Sequence, residues 1–362
     1  MKVLLLWDSS SSSTWDVGHF VSRALRRLGV KVANFVYAQE IVLQNLAINA
    51  FRGTQDVSYD GEAVLLANRL MLGYIASSDC DAIISVCSLD VYKSAWTWIA
   101  GLRRNLKKPP KVVFLYTESP YRPAEELENA RWADYIFCNE RSFVPRLRAF
   151  QPRTWYLPQA YDDQWHVPAQ REPRYGVYFC GSGFRNRVET LEQVDWAATG
   201  TTLTLKGLWP DIEPGTPLYP YYEKGLVPNE RTVDDYRASQ ICLNVHRQEG
   251  EIVVFERDVP ERSYMRERRP FRVRDAWSMN NRTLEIAASG GFQITDNTRD
   301  EVGEVFGASV PRYTDAAHLQ ELVTYYAQRP DERARMAAEA RLRIEGRTYL
   351  ANMKRVLNLI GG

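Results

Sequence analysis

Arg282 and Glu285 lie three residues apart in RTLEIAASGGFQITD, residues 282–296, where a short helix is predicted before the glycine pair 290–291. A guanidinium in the first turn of a helix can bind a phosphate that the helix N-terminus also attracts. The alternative is a solvent-exposed i,i+3 ion pair, an arrangement that helix surfaces accommodate well. The spacing therefore indicates either a surface pair or two side chains that point at a bound ligand.

A second candidate is the glycine turn in FCGSGFRNR, residues 179–187, between a predicted strand and a predicted helix. It contains Gly181 and Ser182, and Arg185 and Arg187 follow. Backbone N–H groups of such a turn, together with the helix N-terminus, can approach a phosphate. The third glycine of the dinucleotide fingerprint is absent, which argues against NAD. An ordinary turn with solvent-facing arginines is the alternative.

Polar side chains also follow other predicted strands. Ligands of open α/β sheets bind outside the carboxyl ends of the strands, which makes Lys206 and His246 candidates in the second half. In the first half the candidate general bases are Asp16, His19 and Glu118. For His19, a capping or packing role is the alternative.

No metal site is predicted. The segment SDCDA, residues 78–82, contains a DxD pattern, which binds a divalent cation in some enzymes. Its aspartates precede a predicted strand instead of following one, so we expect a solvated turn. His166 and His318 have no neighbours at metal-ligand spacing and are expected to be structural or exposed.

These candidates lie on alternating strands and helices. KVLLLW, residues 2–7, is a continuous apolar run typical of a strand buried on both faces. Similar runs alternate with helical segments in both halves, which predicts α/β domains with doubly wound parallel sheets. We expect a Rossmann-like domain at 1–165, a second one at 170–340, and a terminal helix at 341–362, with its return to the first domain left open.

The bulk composition is that of an ordinary globular protein. The net charge is +1, so no global electrostatic field indicates a nucleic-acid or membrane partner. The five cysteines include no CxxC pair, which favours free thiols in a reducing compartment. The apolar run at the N-terminus is too short for a signal peptide, and no stretch is long enough to span a bilayer. A cytoplasmic protein is therefore expected.

Beyond these local patterns, the second half resembles the C-terminal domain of GT-B glycosyltransferases, in particular the CgeB-like branch of the glycosyltransferase group 1 family. The resemblance rests on GSGFRNR (181–187), LTLKG (203–207), VPNERTVDDYRASQICLNVH (227–246) and RTLEIAASGGFQITD (282–296). RTYLANMKRVL (347–357) is similar to the closing helix of that group. The implied fold is GT-B, with two Rossmann-like doubly wound domains facing a cleft and a C-terminal helical segment.

The resemblance implies roles for individual residues. Glu285 matches a glutamate that binds the ribose hydroxyls of a nucleotide, and Arg282 and Arg187 match basic positions that face its diphosphate. The 227–232 segment matches the backbone that holds the base. Ser278, seven residues before Glu285, stands where many relatives are expected to carry a second glutamate that contacts the donor sugar. The candidate donor-binding residues are therefore Gly181, Ser182, Arg185, Arg187, Lys206, Val227, Asn229, Thr232, His246, Arg282, Thr283 and Glu285.

The implied activity is sugar transfer from a nucleotide-diphosphate donor, with a UDP-sugar favoured and no metal or other cofactor required. The acceptor stays open among a glycan, a protein, a small molecule and modified DNA. The charged segment 247–274 interrupts the second domain and is either a lid or acceptor-contacting loop or a disordered surface excursion. A non-catalytic nucleotide-sugar-binding protein and a nucleotide-dependent oxidoreductase or epimerase are the alternative functions.

Overall fold

The computed structural model describes residues 1–7, 12–53, 61–87, 91, 93–225, 227, 229–255 and 265–361. The chain forms two compact units. Unit 1 comprises Met1–Pro158, Gly250–Val273 and Asn352–Gly362, and unit 2 comprises Gln159–Glu249 and Arg274–Ala351.

Unit 1 is built on a six-stranded sheet in which all paired strands are parallel. Its strands are β1 Lys2–Trp7, β2 Lys31–Val36, β3 Ala82–Val86, β4 Lys111–Tyr116, β5 Tyr135–Cys138 and β6 Thr154–Tyr156. Their order is β2-β1-β3-β4-β5-β6. The predicted apolar strand is β1, and its residues from Val3 to Trp7 are buried, as expected for a strand that helices cover on both faces.

Six helices connect these strands. They are α1 Ser12–Arg27, α2 Tyr37–Arg52, α3 Gly61–Ser77, α4 Lys93–Arg104, α5 Pro123–Asn129 and α6 Val144–Arg148. The core contains large aromatic side chains, and the Trp96 and Phe114 ring centroids lie 4.7 Å apart. This burial of apolar area is the main force that holds each helix on the sheet.

The charged segment differs from the expectation in two respects. It contains two strands, β10 Glu249–Phe255 and β11 Met265–Arg272, which pair as a two-stranded sheet, while residues 256–264 lie outside the described part of the chain. Gly250–Val273 also belongs to unit 1 instead of the second domain. One contact behind this assignment is the hydrogen bond from the Glu251 N–H to the Tyr121 carbonyl, at 2.8 Å.

Unit 2 contains a five-stranded parallel sheet of order β13-β12-β9-β7-β8. Its strands are β7 Tyr175–Cys180, β8 Leu203–Lys206, β9 Ser239–Asn244, β12 Gln293–Asp296 and β13 Arg312–Tyr313. Its helices are α7 Arg185–Glu192, α8 Asn229–Arg237, α9 Asn281–Ala288, α10 Asp300–Phe306, α11 Ala316–Ala327 and α12 Pro330–Arg343. The last helix, α13 Tyr349–Gly361, begins in unit 2 and belongs to unit 1 from Asn352 onward.

The DxD pattern lies in a solvated turn before β3. Asp79 pairs with Lys2 at 2.6 Å, and Asp81 pairs with Lys108 at 2.6 Å. Within the described ranges no group of three or more His, Cys, Asp or Glu side chains is placed to hold a metal ion. None of the described helices combines the length and apolarity needed to cross a membrane.

The remaining histidines and cysteines fit structural roles. His166 is buried, and its Nδ1 accepts the Asp162 N–H at 3.1 Å. The His318 side chain lies beside Thr314 at 3.2 Å, at the start of α11. All five cysteines are free thiols.

Candidate functional site

The strand order of unit 2 reverses between β7 and β9. The chain leaves β7 towards β8 on one side, whereas β9 continues towards β12 on the other. Helices that diverge from two neighbouring strands leave a crevice at the carboxyl ends, where open α/β sheets bind ligands. Gly181, in the glycine turn, directly follows β7, and Val245, in the LNVH sequence, directly follows β9. Both sequences therefore lie at this crevice.

The glycine turn after β7 packs directly on the end of β8. The Gly181 N–H donates to the Lys206 carbonyl at 2.9 Å, and the Leu208 N–H donates to the Gly181 carbonyl at 3.2 Å. A Cβ on Gly207, whose φ is +103°, would lie 2.3 Å from the Gly181 oxygen. Glycine is therefore required at residue 207, both for the backbone angle and for the close approach.

Two guanidinium groups converge on Gly181. A Cβ placed on this glycine would lie 2.8 Å from Arg282 Nη2 and 3.4 Å from Arg187 Nη1. Both groups lie over the Phe179 ring, with Cζ 5.1 Å from the centroid for Arg282 and 5.3 Å for Arg187. Two like charges this close repel each other, and an anion with two charged oxygens would relieve that repulsion.

The two arginines are held by different means. Arg187 is only 4 % exposed, and it donates from Nε to the Val245 carbonyl and from Nη1 to the Ser182 carbonyl, each at 2.8 Å. Arg282 Nη1 donates to Asn244 Oδ1 at 3.3 Å. The fold thus fixes Arg187 with two short hydrogen bonds, whereas Arg282 is held by a longer one.

The start of α9 is fastened to the end of β9. Asn280 is the N-cap residue, and its Oδ1 accepts the Thr283 N–H at 3.1 Å. The Asn244 amide donates to Thr283 Oγ1 at 2.8 Å and to Asn280 Oδ1 at 3.1 Å. This network holds the positive end of the α9 dipole beside Arg282.

Glu285 lies one turn further along α9 and is partly buried. Within the described part of the chain its carboxyl group makes no hydrogen bond or ion pair, so it is not the partner of Arg282 in a surface pair. Burial raises the pKa of this carboxyl from 4.5 to about 7, against the opposing effect of the Arg282 guanidinium. Its acceptor oxygens are therefore available to hydroxyl donors of a ligand.

His246 forms a buried pair with the last residue of β12. The Asp296 carboxylate accepts the His246 backbone N–H at 2.6 Å. The same oxygen lies 3.0 Å from Nδ1 of the His246 ring. Burial lowers the pKa of His246, although Asp296 opposes this. The neutral ring leaves Nε2 buried and without a hydrogen-bond partner among the described residues.

Other predicted residues lie away from the two guanidinium groups. The Arg185 side chain is 79 % exposed and pairs with Glu189 at 2.7 Å. Lys206 is buried and donates to the Tyr175 hydroxyl at 2.7 Å, so its ammonium group is engaged inside the unit. The sequence could not separate Arg187 from Arg185 without knowing where α7 begins.

The segment expected to hold a nucleotide base is described in part. Val227 is partly buried, and Thr232 is buried on α8. Asn229 is the first residue of α8, and its side chain lies outside what the structure describes. Ser278 is buried in the segment that leads to α9.

The candidates in unit 1 occupy two places. Asp16 is partly buried and His19 is exposed on α1, where His19 Nε2 lies 3.2 Å from the Arg23 guanidinium. His19 and Arg23 line a cavity of about 480 Å³ with Ser22, Arg26, Arg27 and Asn34. Glu118 instead lies in the loop after β4, where its carbonyl accepts the Tyr121 N–H at 2.7 Å.

Sequence reasoning missed Asn244 and Asn280. Asn244 belongs to the LNVH sequence at the end of 227–246, and Asn280 lies two residues before the RTLE motif, where an asparagine before a predicted helix is a common N-cap. Phe179 was also missed, because an aromatic residue in an apolar strand is indistinguishable from any other core residue until its neighbours are known.

Comparisons with known proteins point to one enzyme class. The Glycosyl transferase-like family profile matches residues 185–358, which include Arg187, Arg282 and Glu285. The spore protein CgeB of Bacillus subtilis is 25 % identical over 251 residues, 67 % of this chain and 70 % of CgeB. The chain is therefore similar to glycosyltransferases of the group 1 family over its second half. The family match and the structural neighbours support the expectation of a glycosyltransferase enzyme.

Solved structures of this glycosyltransferase fold align over nearly the whole chain. Sucrose-phosphate synthase from Thermosynechococcus elongatus has a TM-score of 0.62 at 12 % identity, covering 99 % of this chain and 98 % of its own. An alpha-glucosyltransferase in complex with UDP-glucose and DNA has a TM-score of 0.63 at 13 % identity, covering 100 % of both chains. The DNA-modifying enzyme beta-glucosyltransferase has a TM-score of 0.60 at 14 % identity, also covering 100 % of both chains. They confirm the expected fold class of two Rossmann-like, parallel-sheet domains.

Proposed function

We propose that this glycosyltransferase moves a sugar from a UDP-sugar to an acceptor hydroxyl without a metal ion. The observation that carries the proposal is the convergence of the Arg187 and Arg282 guanidinium groups on Gly181 beside the start of α9. A leaving nucleoside diphosphate gains negative charge as the glycosidic bond breaks. Fixed positive groups that meet that charge lower the barrier without any reorganisation during the reaction.

In this proposal the donor lies along α9. The diphosphate binds Arg187, Arg282 and the helix N-terminus, which together supply the positive charge that a divalent cation would otherwise supply. The partly buried carboxyl of Glu285, one turn later, accepts hydrogen bonds from the ribose hydroxyls. The 227–232 segment holds the base. The choice of uracil is supported by the two structural neighbours that bind UDP-glucose or uridine diphosphoglucose.

Glu118 is the proposed general base that takes the proton of the acceptor hydroxyl. His19 is less suitable, because its Nε2 lies 3.2 Å from the Arg23 guanidinium and is therefore already engaged. Asp16 is the second candidate. Glu118→Gln is expected to lower the rate of transfer and to leave the Kd of the donor unchanged. If Asp16→Asn lowers the rate and Glu118→Gln does not, Asp16 is the base instead.

The proposed acceptor group is a hydroxyl. A screen has to identify the molecule that carries it. Two structural neighbours are DNA glucosyltransferases, so duplex DNA with modified bases is one arm of the screen, and glycans, proteins and small metabolites are the others. Transfer of radiolabelled sugar to one arm identifies the carrier. The five free thiols support the additional proposal of a reducing, cytoplasmic compartment.

A thermal-shift screen tests the donor assignment. UDP-, GDP- and TDP-sugars are compared with NAD and NADP, and a UDP-sugar is expected to give the largest rise in Tm. Glu285→Ala is expected to abolish that rise while the Tm without ligand stays near that of the wild type. Arg185→Ala, which removes an exposed ion pair on the same unit, is the matched control. Unchanged donor affinity in Glu285→Ala would refute the site.

A further inference from the structure

Glu126 occupies a buried position beneath the loop that carries Glu118. It lies on α5, its side chain is fully buried at 0 % exposed, and its Oε2 accepts the Ser119 hydroxyl at 2.6 Å. The Tyr116 hydroxyl donates to the Glu126 carbonyl at 2.8 Å. The residue thus connects the end of β4, the loop after it and α5.

The surroundings of this carboxyl disfavour a negative charge. Its Oε1 has no hydrogen-bond partner among the described residues. Glu118 and Glu125 face it as like charges, and the positive charge of Arg122 is taken up by a 2.7 Å bond to Glu125 Oε1. Burial, chiefly, raises the pKa of Glu126 to about 8, so the group is neutral at pH 7.

A second contact ties the same loop to the neighbouring strand. The Cys138 thiol at the end of β5 donates to Ser119 Oγ at 3.3 Å and is itself buried. Burial also raises the pKa of this thiol above its ordinary value, so it is a neutral donor. Ser119 therefore lies between a neutral thiol and a neutral carboxyl, and the residue before it is Glu118.

We propose that Glu126 is a positioning residue, whose buried carboxyl fixes Ser119 and through it the orientation of the candidate base Glu118. This inference rests on the proposed function of Glu118. A buried carboxyl with a single hydrogen-bonding neighbour is costly compared with an apolar side chain, which stability alone would favour at this position. This cost is explained if the contact between Glu126 and Ser119 serves to maintain the geometry of the loop.

Ionisation of Glu126 has a defined consequence for the reaction. Among the described residues the nearby cation is Arg122, which Glu125 already engages, so a negative charge formed there chiefly repels Glu118 and Glu125. The loop then has to admit water or shift, and a displacement of about 1 Å of a catalytic group can cost about 10²-fold in rate. The kcat of the wild type is therefore expected to fall as the pH rises through about 8. This fall is called the alkaline limb of the pH profile.

The test compares kcat from about pH 6 to 9.5 for the wild type, Glu126→Gln and Glu140→Gln. Glutamine keeps the shape and the acceptor oxygen but cannot ionise, so Glu126→Gln is expected to keep the kcat at neutral pH and to lose the alkaline limb. Glu140, another buried carboxyl of unit 1, accepts from Ser142 after β5, and its variant is expected to keep the limb. An alkaline limb that persists in Glu126→Gln would overturn the proposal.

Hydrogen exchange of the loop, residues 117–122, tests the same inference without any sugar transfer. Wild-type amides of the loop are expected to exchange faster above about pH 8, after correction for the intrinsic rate, and those of Glu126→Gln to show no such change. Identical corrected profiles for the two proteins would refute the positioning role. If no transfer is found with any acceptor, the proposed function fails, whereas this measurement still decides the role of Glu126.

Discussion

Donor affinity should depend on pH through Glu285. Burial holds the pKa of its carboxyl at about 7, and the proposed ribose contact needs the ionised, acceptor-only form. If only that form binds, each pH unit below the pKa weakens binding by up to tenfold, or about 1.4 kcal/mol. The Kd of UDP-glucose should therefore rise about 30-fold between about pH 8 and pH 5.5.

Isothermal titration with UDP-glucose measures this dependence cleanly, because both phosphates of the donor are singly charged diesters that do not titrate in the range. UDP itself is unsuitable, since its terminal phosphate does titrate there. Below the pKa of Glu285, binding should also release up to one proton, which two buffers of different ionisation enthalpy reveal. The expected sign is release, because the ribose hydroxyls stabilise the carboxylate.

Two variants separate this effect from general changes with pH. Glu285→Gln should bind UDP-glucose more weakly and with a Kd that does not vary with pH. Glu189→Gln, which alters an exposed carboxylate paired with Arg185, should keep the wild-type profile. A wild-type Kd that stays constant over this range, or a Glu285→Gln variant that retains the slope, would refute the assignment of Glu285 to the ribose.

Further predictions concern the groups around the proposed diphosphate. Arg282→Ala should raise the Kd of UDP-glucose by about 10- to 150-fold, the equivalent of one charge-assisted hydrogen bond of about 1.5–3 kcal/mol, while Arg185→Ala leaves it unchanged in the same titration. Gly181→Ala should weaken binding with little change in Tm, since the new Cβ would meet chiefly the end of the adjustable Arg282 side chain, at 2.8 Å from its Nη2. Asn280→Ala should lower the free energy of unfolding in urea by about 1 kcal/mol through loss of the N-cap; a loss of affinity with unchanged stability would contradict that role.

The strands were the most predictable part of the fold. β1 is a run of apolar residues that has no stable place except between two layers of helices, so its sequence alone indicates a buried parallel strand. β11 shows the opposite case, because MRERRPFR is mostly charged and carries no apolar alternation. The Glu251 contact with Tyr121, which places its partner strand β10 in unit 1, joins residues that are about 130 positions apart in the sequence. Such non-local pairing leaves no local pattern.

The types of residue in the candidate site were predictable from the sequence, but the orientations of their side chains were not. Arg185 and Arg187 are both basic residues after a glycine turn, and a local pattern gives them equal weight. On a helix, positions two apart point to nearly opposite sides, so once α7 is known to begin at Arg185 only one of them can turn inward. That Glu285 makes no ion pair with Arg282 in the described part of the chain could not be predicted, because an i,i+3 spacing alone favours this pair. The tertiary environment partly buries the Glu285 carboxyl instead of leaving it in a surface pair, and this environment is not visible in the local sequence.

The different anchoring of the two arginines suggests different contributions to catalysis. Two backbone carbonyls hold Arg187, which is nearly buried, so folding has already fixed its orientation and no freedom is lost when charge develops on the leaving group. Arg282 has one longer bond, to an amide oxygen, and it can adjust to an incoming diphosphate. A rigid group stabilises the transition state best, whereas an adjustable one adapts to the bound donor. In the proposed reaction the pair would therefore combine capture of the donor with stabilisation of its departing diphosphate.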